Sequence, residues 1–274
     1  MTEGRSHRPT TGASSFNFGL LEGPVDACFE RDTVVDADLR PMPAAGKQFR
    51  DQFTTACLVV LQLPLNRESA PNDDTLVIGT EYGNAEAIGR LQREAGPQGR
   101  LLSAQYFPHA TSSSAAAFGS IAIGATGRNV TINAGHTTPV VAAWQAMLAL
   151  ARGRSSTSHL LVGDVYTPEA EEDAAARSGS GTSTSALFRV SLRKASTFTA
   201  HYRFPPAVKG TDLFGSRVVL PDGATVTDDS ERNPAIGARR FWHSVANLAL
   251  GEQSEIALFE RSGRAASLLV TRNE

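Results

Sequence analysis

The sequence predicts an α/β fold, and three observations predict it. Apolar runs of strand length, such as Thr75-Leu76-Val77-Ile78-Gly79-Thr80, alternate along the chain with stretches of helical periodicity. The block from Gly127 to Pro168 reads as one compact β-turn-α-β unit. The 274 residues, 41% of them hydrophobic, suffice for an extensive core that needs no disulfide or metal to fold.

Residues 1–42 read as an N-terminal tail followed by irregular structure wrapped on the domain. Up to Gly12 they lack the apolar stretch of a secretory signal, and beyond it the apolar residues are scattered among Pro and Gly. From Pro43 to Leu63 a helix is expected, because Phe49, Phe53, Ala56, Cys57, Val60 and Leu61 recur at spacings of three and four. That stripe places Cys57 in the core. The turn signal Pro71-Asn72-Asp73-Asp74 precedes the strand at Thr75, whose continuous apolar character suits a sheet covered on both faces. Glu81-Tyr82-Gly83 leads to a helix from about Asn84 to Arg93, and a small-residue helix from about Ser112 to Gly124 follows Phe107-Pro108-His109.

Asn129-Val130-Thr131-Ile132-Asn133-Ala134 reads as a buried strand and Gly135-His136-Thr137-Thr138 as a tight turn. Pro139 to Arg152 is the helix, with Pro at its first turn and Gly153 just past its end. Ser158 to Val165 is the next strand. Glu169 to Ser185, rich in Ala, Gly, Ser and Thr, reads as a mobile loop; it lacks the Lys and the helix placement of a phosphate-binding loop. Strands are expected at Ala186 to Leu192, Phe198 to Phe204, Glu255 to Phe259 and Ala266 to Thr271, with a covering helix near Asn233 to Leu248.

Charge excludes several functions. With 26 Lys plus Arg against 28 Asp plus Glu, the net charge of −2 argues against nucleic-acid or membrane-surface binding driven by charge. Nothing reaches the roughly 18 consecutive apolar residues of a membrane span. Cys28 and Cys57 belong to no CxxC pair, and the reducing cytoplasm is the natural compartment. The acidic run Glu169, Glu171, Glu172, Asp173 has no histidine at ligand spacing, so it reads as solvated and no metal or cofactor is expected.

The turn at His136 is the place for chemistry. A residue at a sharp strand-to-helix turn is exposed above the sheet and sits at the positive end of a helix dipole. A cysteine there would have its thiolate stabilised, whereas an imidazole is biased toward its neutral form.

The order of motifs carries a family resemblance. Phe107-Pro108-His109, Ser114-Ala115-Ala116-Ala117-Phe118-Gly119-Ser120-Ile121-Ala122, Gly127-Arg128-Asn129-Val130-Thr131-Ile132-Asn133-Ala134-Gly135-His136, Ala151-Arg152-Gly153 and Leu161-Val162-Gly163-Asp164 resemble the N-terminal half of a β-ketoacyl synthase. The helix at Pro43 to Leu63 and Ile78-Gly79-Thr80-Glu81-Tyr82-Gly83 fit the same pattern, so the resemblance spans residues 43–190. It implies a thiolase-like αβαβα sandwich, shortened in its second half, with residues 43–274 as a single ketosynthase-like domain. Gly251 to Phe259 is a weaker counterpart of the family's last glycine-rich turn and strand.

The departures shape the functional expectation. The family's nucleophilic cysteine stands where this chain has His136, and the family's second-half His-Gly-Thr and Gly-His motifs are absent; the later histidines are His159, His201 and His243. Condensation needs a thiolate to hold the acyl chain, and acyl-imidazoles are labile to water. The resemblance therefore implies a non-condensing subunit similar to chain-length factors, paired with an active ketosynthase as a heterodimer, or with itself as a homodimer. Such a subunit shapes the tunnel for an acyl chain delivered by an acyl carrier protein in type II polyketide or fatty-acid-like synthesis. The alternative is a stand-alone acyltransferase or hydrolase acting on acyl thioesters through His136. His109, Thr137 and Thr138 are pocket candidates. Asn129, Val130, Thr131, Ile132, Asn133 and Ala134 are dimer-interface candidates, since the corresponding strand of the family lies at its twofold axis. Arg239-Arg240-Phe241-Trp242 reads as a helix with solvated arginines and buried aromatics, or as a greeting surface for the acidic carrier.

Overall fold

The computed structural model describes residues 14–27, 50–62, 73–96, 107–207 and 213–274. Cys28, and residues 43–49 of the expected helix, lie outside them. In chain order the described elements are β1 (Ser14–Ala27), α1 (Gln52–Gln62), β2 (Thr75–Gly79), α2 (Ala85–Ala95), α3 (Phe107–Ala110), α4 (Ser114–Ile123), β3 (Asn129–Ile132) and α5 (Thr138–Ala151). They continue with β4 (Thr157–Asp164), α6 (Pro168–Ser178), β5 (Ala186–Arg203), β6 (Gly215–Val219), β7 (Thr225–Asp228), α7 (Pro234–Ala246), β8 (Gln253–Phe259) and β9 (Ala265–Arg272).

The strands form one mixed nine-stranded sheet in the order β3-β2-β4-β5-β9-β8-β6-β7, with β1 antiparallel along β5. β2 runs parallel to both β3 and β4, and the remaining pairs are antiparallel. This is an α/β fold, a mixed sheet flanked by helices as in a thiolase-like sandwich.

The apolar run of β2 is continuous because both of its faces are covered. Val77 joins the core beneath α5 and α7, while Leu76 and Ile78 pack with Phe53, Ala56, Cys57, Val60 and Leu61 of α1 and Ala115 and Ala116 of α4. Leu160 and Val162 of β4 share the first core and Leu161 the second, as the two-residue period of a strand requires. The stripe on α1 is buried where the spacing places it, Cys57 included.

Four expectations differ from what the chain does. Residues 14–27, expected to be irregular, form β1, which reaches strand length through register shifts after Phe18, Leu20 and Glu22. The strand at Asn129, expected to be buried, is β3 at the edge of the sheet, paired among the described residues with β2 alone and partly exposed along its length. Glu169 to Ser185, expected to be a loop, contains α6. Its start is specified by Thr167, whose side chain accepts from Ala170 N, by Pro168 at the first helical position and by Glu169 and Glu171 in the first turn. Ala186 to Leu192 and Phe198 to Phe204, expected as two strands, belong to the single 18-residue strand β5, and the short strands β6 and β7 were not expected.

A buried polar chain crosses the sheet. His159 Nδ1 lies 2.9 Å from Ser191 Oγ and its Nε2 3.3 Å from Asp74 Oδ2. The order resembles a hydrolytic triad, but Ser191 and His159 are wholly buried and Asp74 is 1% exposed, so no substrate meets it. It ties β5 and β4 to the start of β2.

Candidate functional site

The site lies beyond the carboxyl ends of the parallel strands, where open α/β sheets place their ligands. The turn between β3 and α5 is tied by its own threonines. Thr137 Oγ1 donates to Ala134 O at 2.7 Å, and Ala134 N donates to Thr138 Oγ1 at 2.8 Å. Gly135, at φ +59°, takes the left-handed conformation that closes the turn, so His136 itself is unstrained. The Glu260 carboxylate, from the β8–β9 turn, rests directly against Gly135 and occupies the space a Cβ would need.

His136 is 3% exposed, its ring 4.6 Å from that of Phe214. Its Nε2 is buried, with no hydrogen-bond partner among the described residues. Burial pushes the imidazole pKa down to about 4, only partly opposed by the nearby Asp228 carboxylate. The bias toward the neutral imidazole has burial as its main cause.

Glu81 approaches from the end of β2. The buried Asp164 carboxylate, at the end of β4, accepts from Thr80 Oγ1 at 2.5 Å, Glu81 N at 2.9 Å and Tyr82 N at 2.8 Å. Asn133 Nδ2 donates to Glu81 O at 2.6 Å. These bonds fix the Glu81 backbone on both sides. Burial, reinforced by Asp164, pushes the Glu81 carboxyl up to about 8, and burial lifts Asp164 to about 6 against its three hydrogen-bond donors. Glu81, Asn133, His136, Phe214, Glu260 and Arg261 line one cleft of about 410 Å³. The cleft is thus lined by a carboxyl that burial biases toward its protonated form and an imidazole that burial biases toward its neutral form.

The other sequence candidates sit elsewhere. Thr137 and Thr138 hold the turn and do not line the cleft. His109, in the single turn α3, is 6% exposed and stacks on Phe118 of α4 at 4.9 Å, also away from the cleft. Cys57 is buried on the core face of α1, where burial raises its thiol pKa well above the ordinary value and disfavours the thiolate. The acidic run lies on α6 and is paired: Glu169 with Arg93 at 2.5 Å, Asp173 with Arg177 at 2.6 Å and Glu171 with Arg232 at 3.4 Å. Among the described residues no cluster of His, Cys, Asp and Glu could hold a metal ion. Phe241 and Trp242 of α7 are buried and Arg240 is exposed. Sequence reasoning missed Glu81, Phe214, Glu260 and Arg261 as parts of one site. Only Glu81 had a signal, its place within Thr80-Glu81-Tyr82-Gly83.

The Glu81 proton has a measurable consequence. Between pH 6.5 and 8 the unfolded chain has released this proton and the folded chain retains it, so the native state binds more protons and stability falls as pH rises. His136 acts with the opposite sign and lower down, its folded form refusing a proton that the unfolded chain takes up from pH 6.5 toward 4. The melting temperature is expected to drop from pH 6.5 to 8, and Glu81→Gln to flatten that slope, measured by circular dichroism. An unchanged slope in the variant would assign the proton elsewhere.

No family model matches the sequence, and no curated protein matches it. Solved structures do. A chain of the ishigamide ketosynthase/chain length factor aligns with a TM-score of 0.64 at 16% identity, covering 88% of this chain and 85% of that one. The fold is that of the ketosynthase and chain-length-factor structures. A ketosynthase in complex with its chain length factor from Xenorhabdus doucetiae aligns with a TM-score of 0.58 at 11% identity, over 87% of each chain. A type II polyketide synthase ketosynthase in complex with its acyl-carrier protein aligns with 0.58 at 12% identity, over 88% of this chain and 89% of that one. The likeness runs through 85% or more of each of these three chains. Among the described residues no helix is long and apolar enough to cross a membrane.

Proposed function

We propose that this chain is a non-condensing, chain-length-factor-type subunit that pairs with an active ketosynthase and shapes the tunnel for acyl chains presented by a carrier protein. The observation that carries the reading is the elbow. It presents a buried, neutral His136 where condensation needs a thiolate, and Cys57 is sealed in a different core. A labile acyl-imidazole is a poor store for a growing chain.

The partner is proposed to dock on the β3 edge. Among the described residues no strand pairs with the outer side of β3, a feature that sheets ordinarily cover or blunt. Beside it α4 carries Ile121, 77% exposed, and α3 carries Phe107, 53% exposed. An open strand edge flanked by exposed apolar side chains suits a second protein subunit.

Co-expression with a ketosynthase that has its cysteine and both histidine motifs is expected to yield a one-to-one complex that extends a carrier-bound acyl chain. Ile121→Glu should weaken that complex at least tenfold, equivalent to about 1.4 kcal/mol, while leaving the thermal melt of the isolated chain unchanged. A soluble homodimer that turns over acyl thioesters unaided would overturn the reading in favour of a stand-alone acyltransferase or hydrolase.

A further inference from the structure

The cleft at the elbow is built more elaborately than a passive wall requires. Its imidazole is buried, and Nε2 has no hydrogen-bond partner among the described residues, a condition that calls for an explanation. Across the same cleft stands Glu81, its backbone clamped by Asp164 and Asn133 so that the side chain is presented from a fixed origin. Phe214 lies against the imidazole, with Arg261 stacked over its ring at 5.6 Å, so the floor of the cleft is walled on one side. The volume of about 410 Å³ accommodates a short acyl group with its thioester.

We infer that Glu81 and His136 form an acid–base pair that moves a proton at the α-carbon of an enolisable β-ketoacyl thioester. The substrate class rests on the proposed place of this chain beside a ketosynthase; the proton transfer rests on the cleft. In the forward step the α-C–H bond breaks and its proton passes to the imidazole. The electron pair forms a C=C bond, the carbonyl π bond opens, and the carbonyl oxygen takes the Glu81 proton to give the enol. Return of a proton from the imidazolium to the α-carbon, and of the enol proton to the Glu81 carboxylate, restores the ketone. Atoms and charge balance without a co-reactant. The pairing works because each group is held in the form the step needs: burial keeps Glu81 protonated as the acid and His136 unprotonated as the base. Glu260, lodged against Gly135, is the second carboxylate of the cleft; it raises the Glu81 pKa further and so helps Glu81 keep its proton.

The test is hydrogen exchange. The purified chain is mixed in D2O with the pantetheine thioester of 2-methyl-3-oxobutanoate, and loss of the α-proton signal is followed by NMR against buffer alone. Exchange is expected to run at least tenfold faster than buffer, and both Glu81→Gln and His136→Gln are expected to lower it at least tenfold while the circular dichroism spectrum stays native. Wild-type exchange no faster than buffer overturns the proposal, whatever the variants do. Accelerated exchange that survives in a folded variant of either residue overturns it as well. The measurement needs no ketosynthase, so a failure to pair with one leaves exchange intact, and a failure to exchange leaves pairing intact.

Discussion

Gly163→Ala is expected to abolish the cooperative thermal transition. Gly163 lies one residue before the end of β4 at φ +145°, a conformation that L side chains rarely adopt. A Cβ there would run into the carbonyl oxygen of Ala186 and come within 2.8 Å of Leu187 Cα on the neighbouring β5. Both obstacles are backbone, and Leu187 is the ladder partner of Gly163, so neither can yield without opening the β4–β5 pairing. Strain and lost pairing together exceed about 4 kcal/mol, against a total stability on the order of 5–15 kcal/mol. Gly153→Ala is the matched control. It also has a positive φ, +63°, but nothing within 4 Å of an added Cβ, so only the conformational cost of about 1–2 kcal/mol applies. Thermal melts followed by circular dichroism compare the two. A native-like transition for Gly163→Ala would mean that β4 and β5 do not close at this position.

The same glycine links the scaffold to the site. It precedes Asp164, whose carboxylate holds the backbone amides of Glu81 and Tyr82. The close approach of β4 to β5 at Gly163 therefore brings Asp164 to the end of β2, and Asp164 in turn aims Glu81. This dependence was only partly legible in the sequence. Gly163-Asp164 and Thr80-Glu81 were visible as strand ends, and the alternation of Leu76, Val77 and Ile78 between two cores is what their apolar run demands. Contacts between distant segments carry no local signal. Phe214 and Glu260 come from the second half, and nothing in their neighbours' periodicity tells that they meet His136. The elbow itself was legible because a strand, a glycine turn and a proline-started helix follow one another within a few residues. The α6 helix was missed for a physical reason of the same kind: its many small residues suggested a loop, whereas the cap at Thr167 and Pro168 and the tertiary pairs of Glu169 and Glu171 with Arg93 and Arg232 decide its conformation.

Arg189 is the clearest residue that pattern reading alone misassigns, and its removal carries the other large expected effect. It sits in the apolar run Ala186 to Leu192 of β5, and Phe188 and Val190 on either side of it face the first core. The two-residue period turns Arg189 to the opposite face, toward α1, where it is wholly buried. There its Nη1 donates to Val60 O at 3.1 Å and Leu61 O at 3.3 Å, backbone carbonyls of α1. Its Nη2 reaches Glu22 Oε2 of β1 at 3.3 Å. One guanidinium thus binds two carbonyls of α1, balances a half-buried carboxylate and joins β1, β5 and α1. Arg189→Ala leaves the carboxylate without this counter-charge and the two carbonyls without this donor, and is expected to cost about 3–5 kcal/mol in urea unfolding. Arg189→Met restores the packing volume but not the charge, so adding Glu22→Gln to it should recover stability that Glu22→Gln alone does not give. A double-mutant cycle over the two positions separates the ion pair from the bonds to α1: coupling near zero would place the stabilisation in the bonds to Val60 and Leu61, and a large favourable coupling would place it in the bridge to β1.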